Sequence, residues 1–254
     1  MFPDLGPDWL ILLIMAPFIG SFLGLVAERL PHGAKVVFAR SHCAHCDHIL
    51  GPADLVPVLS WLVLRGRCRH CRSAIGAFHP IIELLAIAVV LWAASVLTGP
   101  ALFTGTALGW TLLALAAMDH RHLTLSDALT LPLLAAGLVF AAALGRAGAF
   151  ADHVIGAVAG FIAFAVIGWA YRRLRHRDGL GLGDAKLLAA GGAWVGWLGL
   201  SGIVLWAAAM ALVVTLAETV AGRALSPGRR IAFGPYLGAG IWLVWLYGPV
   251  RIAW

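Results

Sequence analysis

Gly181-Leu182-Gly183-Asp184-Ala185-Lys186-Leu187-Leu188 opens a short, glycine-rich apolar run, and whether that run crosses a membrane decides the fold. The two glycines permit tight or positive-φ backbone and close approach of another segment. A carboxylate at membrane depth is costly, so it is rare there unless it pairs, lines a wet cavity or does chemistry. Taken as residues 185–199, the run falls short of the roughly 17–25 residues that usually span a bilayer. Its neighbours settle the matter, because Lys and Arg accumulate on cytosolic loops. Arg172, Arg173, Arg175, Arg177 and Lys186 form one basic cluster, and Arg223, Arg229 and Arg230 another. Both must share a side, which requires two spans between them, 185–199 and 202–220, with a break near Trp197–Gly202.

Further apolar runs lie at about 9–27, 80–97, 101–118, 123–144, 153–171 and 232–248. The expected fold is therefore an all-α polytopic membrane protein of about eight transmembrane helices with a small cytosolic insert. Composition agrees: of 254 residues, 61% are hydrophobic and 12% charged, about half the charged share of a soluble domain. No Lys or Arg precedes Arg29, whereas Asp4 and Asp8 do. Arg29, Lys35, Arg40, Arg65, Arg67, Arg69 and Arg72 follow the first span, and Arg121 stands in the next turn on that side. Of the 18 basic residues only Arg146 and Arg251 fall on the opposite face. Both termini then face away from the cytosol. The net charge of +6 is explained by this topology, with an anionic bilayer surface as partner and no nucleic acid. The first span lacks a basic leader and a small-residue cleavage site, so it reads as a retained helix. No internal repeat stands out. The domains expected are 1–27, a first transmembrane helix; 28–79, the insert; and 80–254, the remaining membrane domain.

The insert contains Cys43-Ala44-His45-Cys46 and Cys68-Arg69-His70-Cys71, all four cysteines of the chain. Two such knuckles make a tetrahedral thiolate site of the zinc-ribbon kind. Disulfides are the alternative, but the charge pattern puts the loop in the reducing cytosol. Four thiolates leave no open position, so the zinc would be structural, and a small insert gains much of its folding energy from it. His42, His45, His48 and His70 crowd the site, and one of them can replace a sulfur ligand. Between the knuckles, Asp54 to Arg67 is apolar with Trp61 and flanking arginines, suiting a segment at headgroup level. Glu83 lies just inside the second apolar run as either a salt-bridged structural acid or a functional one. Pro17 and Gly20-Ser21-Phe22-Leu23-Gly24 read as helix packing.

Asp119 ends the third run within Met118-Asp119-His120-Arg121-His122, on the same membrane face as Asp184. Asp127 sits near that face and reads either as a cap of the following helix or as support for the acids. Lys186, a cation at a helix start, calls for a partner such as Asp184, Asp119 or a lipid phosphate; an ordinary positive-inside anchor is the alternative. Phe233-Gly234-Pro235-Tyr236 opens the last span, with Pro in the first helical turn, and is assigned to packing. Two carboxylates held close share one proton. One then activates a water while the other protonates or polarises a scissile carbonyl. There is no Gly-x-Ser-x-Gly, and every cysteine is used by the knuckles, so an aspartyl pair is the expected catalyst. A non-enzymatic membrane assembly scaffold with a zinc-ribbon docking loop is the reading from another class.

With these motifs in this order the chain resembles the type IV prepilin peptidases of bacterial pilus and type II secretion systems. The resemblance runs through Gly20-Ser21-Phe22-Leu23, Glu28-Arg29-Leu30-Pro31, both knuckles, Pro57-Val58-Leu59-Ser60-Trp61-Leu62, Pro80-Ile81-Ile82-Glu83, Asp119, Gly181 to Ala189 and Phe233-Gly234-Pro235. It implies an inner-membrane enzyme that cuts the leader from prepilin or pseudopilin precursors at the cytosolic face, with periplasmic termini. It also implies Asp119 and Asp184 as the catalytic pair, supported by Gly181, Gly183, Lys186 and Asp127, with Cys43, Cys46, Cys68 and Cys71 on zinc. N-methylation of the new N-terminus from S-adenosylmethionine, linked to residues 28–79, is implied as well. Four positions depart from the family's habit: Gly24 for Asn, Leu55 for Asn, Phe78-His79 for Arg-Tyr, and Ser126 for Pro. Three of them lie in or beside the region linked to methylation, so a peptidase without methyl transfer is the alternative.

Overall fold

The computed structural model describes residues 8–37, 40–143, 149–175, 180–222 and 231–249. Of the charged residues used above, Asp4, Arg146, Arg177, Arg223, Arg229, Arg230 and Arg251 lie outside the described residues. The described residues form α1 (Asp8–Arg29), α2 (Leu59–Val63), α3 (Phe78–Val96), α4 (Pro100–His122), α5 (Asp127–Ala143), α6 (Ala149–Arg175), α7 (Leu182–Val195), α8 (Gly199–Val220) and α9 (Gly234–Tyr247). All but α2 coincide with the eight apolar runs. Five of them, α1, α3, α4, α6 and α8, are long and apolar enough to cross a membrane. The other three are shorter: α5 has 17 residues, α7 14 and α9 14. A 14-residue helix rises about 21 Å, less than the ~30 Å hydrocarbon core. The protein is thus an all-α, multi-pass membrane protein.

The chain divides into two compact units, Met1–Ala117 and Met118–Trp254. In the first, α1 packs along α3. Ala16, Gly20 and Gly24, four residues apart, are buried at this seam. A Cβ added at Gly20 would sit 2.6 Å from Glu83 Cα, and one at Gly24 2.6 Å from His79 Nδ1. Small residues let membrane helices approach in this way, as the packing reading of Gly20–Gly24 expects.

In the second unit α7 is the core, packed against α5, α6 and α9. Every residue from Leu187 to Trp194 is buried. Its glycines are the reason it tolerates neighbours on several sides. A Cβ at Gly191 would lie 2.8 Å from Ile241 Cγ1 of α9, and one at Gly192 would collide with the Gly156 carbonyl of α6. On α5, a Cβ at Gly137 would lie 2.7 Å from Trp194 Cδ1. The short, glycine-rich run, the least span-like of the eight, is therefore the helix most enclosed by protein among the described residues. The break after it falls at Gly196–Leu198, a few residues before the expected one, where Gly196 has φ +75°.

Candidate active site and metal centre

Asp119 and Asp184 line one cavity of about 270 Å³, together with Leu123, Thr124, Leu125, Gly181 and Gly183. Asp119 is on the last turn of α4 and Asp184 on the first turn of α7. Asp119 is only 6% exposed. Its Oδ2 accepts a 2.8 Å hydrogen bond from the backbone N–H of Gly234, at the start of α9. Asp184 Oδ2 accepts from the Gly181 N–H at 3.1 Å, the helix-start half of a capping box. Each acid thus has one oxygen pinned by a glycine amide. Gly234, which the sequence assigns to packing, is a ligand of Asp119. No local pattern announces that contact, because 115 residues separate the two.

The glycines beside Asp184 act through space, not through φ. Neither Gly181 nor Gly183 has positive φ, contrary to one of the two reasons offered for them. A Cβ at Gly183 would meet Leu125 Cβ at 3.0 Å, whereas one at Gly181 would meet only Asp184 Oδ2 at 3.4 Å. The positive φ in the cavity belongs to Leu123, at +52°, whose N–H bonds the Asp119 carbonyl at 2.8 Å. That is the left-handed residue beyond a helix C-terminus, a place usually given to glycine.

Lys186 pairs with neither catalytic candidate. Its Nζ contacts both carboxylate oxygens of Asp127, at 2.7 and 2.8 Å, tying the start of α7 to the start of α5. Asp127 is therefore not the cap of α5. Ser126 takes that place, its Oγ accepting from the Ala128 N–H at 3.3 Å.

In the insert, Cys43, Cys46, Cys68 and Cys71 are free and bring their sulfurs within 4.8 Å of one another. Zn–S bonds of about 2.3 Å in a tetrahedron give sulfur separations near 3.8 Å, and Cys43 Sγ lies 3.8 Å from Cys71 Sγ. The donor set and its spacing fit zinc. The Cys43 thiol is pushed down to about 6 by the backbone N–H groups of His45 and Cys46, which favours the metal-binding thiolate. Ser73 Oγ sits 2.9 Å from Cys71 Sγ, a partner the sequence does not advertise.

The two knuckles are copies of one turn. Cys43 N–H bonds the His48 carbonyl and Cys68 N–H the Ser73 carbonyl; Asp47 N–H returns to Cys43 and Arg72 N–H to Cys68. Asp47 and Arg72 both have positive φ, and isolated bridges close each turn at His42–Ile49 and Arg67–Ala74. This internal repeat is backbone geometry, carried in sequence by little more than Cys-x-His-Cys.

Two family descriptions match the chain: Bacterial Peptidase A24 N-terminal domain over residues 14–97, and Type IV leader peptidase family over 106–216. A prepilin leader peptidase/N-methyltransferase of Aeromonas hydrophila is 35% identical over 98% of this chain and 95% of its own length. The protein of the same name from Burkholderia pseudomallei (strain 1026b) is 40% identical over 90% of this chain and 82% of its own. The Dickeya chrysanthemi protein is 38% identical over 90% and 89%. The chain belongs to the type IV leader peptidase family. No solved structure matches it.

In this leader peptidase, two departures from the family's habit touch each other. His79 lies against Gly24, and its Nε2 is 3.2 Å from Glu28 Oε2. The imidazole takes space that any side chain at 24 would need. Trp61 is tied into the insert: its Nε1 donates to the Ile75 carbonyl at 3.3 Å, and its ring covers Gly66. Leu59, Leu62 and Val63 are the exposed apolar residues of α2, Val63 at 78%. Glu83 is 5% exposed and accepts from the Val58 N–H at 2.7 Å, so it joins α3 to the insert by a backbone bond and not by an ion pair.

Proposed function

We propose that the protein is a membrane aspartyl endopeptidase that removes the leader of prepilin-like precursors and then N-methylates the exposed N-terminus. The observation that carries the cleavage reading is the single cavity between Asp119 and Asp184. One carboxylate takes a proton from a water held between the pair. The resulting hydroxide attacks the scissile carbonyl carbon, while the other carboxyl donates a hydrogen bond to the carbonyl oxygen. The tetrahedral intermediate then collapses with cleavage of the C–N bond, and the carboxyl that took the water's proton passes it to the leaving amine. The amides of Gly234 and Gly181 hold the Oδ2 atoms, leaving each Oδ1 for water and substrate. Cytosolic placement of this face, an eight-span topology and termini on the opposite side are supported by the basic loops, and an inner-membrane location by membership of the family. A prepilin or pseudopilin then meets the pair where its apolar helix enters the bilayer.

Zinc on Cys43, Cys46, Cys68 and Cys71 supplies a fixed crosslink for the insert and no reaction step. S-adenosylmethionine, when bound, supplies an electrophilic methyl group. Co-expression with a cognate precursor tests the proposal. Asp119→Asn and Asp184→Asn each abolish leader removal; removal persisting in both variants refutes the pair. Mass analysis of the mature N-terminus reads methylation, and an unmodified N-terminus with methyl donor in excess leaves a peptidase alone.

A further inference from the structure

We infer that Gly234 is a positioning residue for Asp119, its amide aiming the carboxylate into the cavity; this rests on the reading of Asp119 as catalytic. The first N–H groups of a helix lack intrahelical acceptors. Phe233, at the N-cap of α9, makes no side-chain capping bond, and Pro235 has no N–H to give. The acceptor for the Gly234 N–H is instead the buried Oδ2 of Asp119. The positive end of the α9 backbone dipole then faces a carboxylate, and the bond is charge-assisted when that acid is ionised.

Glycine is required here by proximity. Gly234 does not have positive φ, so any residue can adopt its backbone. A Cβ, however, would lie 2.7 Å from Asp119 Oδ2 and 3.0 Å from both Asp119 Cβ and Cγ. Such an atom forces the carboxylate, α4 or α9 to move. Gly181 is the geometric contrast. It makes the equivalent bond to Asp184, yet a Cβ there meets Oδ2 at an ordinary 3.4 Å. Positioning by backbone amide has an energetic rationale, since a misplacement of about 1 Å can lower a rate about a hundredfold.

The test compares Gly234→Ala, Gly76→Ala and Asp119→Asn in the full-length protein reconstituted with a prepilin precursor, reading kcat, KM and the pH profile of kcat. The expected result is a kcat about 30- to 100-fold lower for Gly234→Ala. Its KM stays within about threefold, and the limb of its pH profile is displaced. Gly76→Ala, where an added Cβ meets nothing within 4 Å, remains within about threefold of wild type in kcat. If Gly234→Ala does not fold, replacing residue 234 with glycolic acid deletes the N–H without adding an atom, and the same fall is expected. A folded Gly234→Ala with wild-type kcat and pH profile overturns the inference, as does an effect confined to KM or an equal loss in Gly76→Ala. Asp119→Asn separates the two levels: if it still cleaves, the underlying reading fails, whereas an inactive Asp119→Asn beside an unaffected Gly234→Ala fails only the positioning role.

Discussion

Removing the Glu83 carboxylate should loosen the insert at one residue without emptying the metal site. Val58 has φ 60° and ψ −52°, and the Leu59 N–H reaches the Pro57 carbonyl at 2.6 Å. This is a γ-turn of the rare, strained hand, on a β-branched residue for which positive φ is a true outlier. Such conformations cost about 1–3 kcal/mol and persist only where surrounding structure holds them. The Val58 N–H bond to Glu83 Oε2 is the hold. A hydrogen bond to a charged group contributes about 1.5–3 kcal/mol, and an orphaned buried donor costs a comparable amount. With about 2–3 kcal/mol lost, Glu83→Ala should speed amide exchange at Val58 and Leu59 by roughly 30- to 150-fold. Glu83→Gln keeps an acceptor at about half strength, so roughly fivefold is expected. Hydrogen exchange read by mass spectrometry on full-length protein in nanodiscs measures this, with zinc content as the control. Each knuckle closes through its own backbone bonds, so bound zinc should not change. Unaltered exchange at Val58 in Glu83→Ala, or loss of zinc with it, would refute the reasoning.

Gly192→Ala places a Cβ against the Gly156 carbonyl; backbone cannot yield as a side chain does, so a loss of about 1–3 kcal/mol or more is expected. Thermal unfolding should show it, with Gly76→Ala, where nothing lies within 4 Å, unchanged. Asp127→Asn should cost less than about 1 kcal/mol, because the Lys186 pair is 33% and 55% exposed and exposed pairs contribute little; a larger drop in unfolding midpoint would contradict this. Asp54 is held below the ordinary carboxylate range chiefly by its Arg69 hydrogen bond, which outweighs the opposing effect of burial and is aided by the Gly51 amide. Its contribution is therefore present above the unfolded value of about 3.9 and lost as pH falls through the lower folded one. Carboxyl NMR should see Arg69→Ala bring that titration back up. Chelating the metal, or Cys43→Ser, should raise exchange across residues 40–76 and abolish zinc binding; full protection without metal would exclude a structural ion.

What was legible in the sequence was whatever rests on long runs or repeated chemistry. Eight apolar stretches became eight helices because apolar surroundings, whether lipid or protein, favour backbone groups that bond within their own segment. The paired knuckles announced a thiolate site because four cysteines in two tight turns have few other uses. Helix ends were less legible. At α5 the acid and the serine traded places, Ser126 capping while Asp127 reached Lys186, since both residue types can cap. The glycine-rich run of α7 looked like a weak span for the very reason that makes it central. Residues small enough for three helices to crowd around carry little hydropathy of their own.

The acids themselves show where single-sequence reading stops. Charge and spacing identify Asp119 and Asp184, but not what aims them. A salt bridge would have left a trace as an extra cation near the motif, and Lys186 looked like that trace; it turned out to be engaged with Asp127. The groups that hold the carboxylates are backbone amides, which every residue but proline possesses and which no letter of the sequence distinguishes. Only the demand for an absent side chain marks them, and chain folding decides which glycine meets which acid. Among the described glycines, Gly234 is where an added Cβ would meet Asp119 Oδ2. A glycine whose φ suits any residue but whose missing Cβ faces a titratable group is therefore a mark of function that becomes readable only in three dimensions.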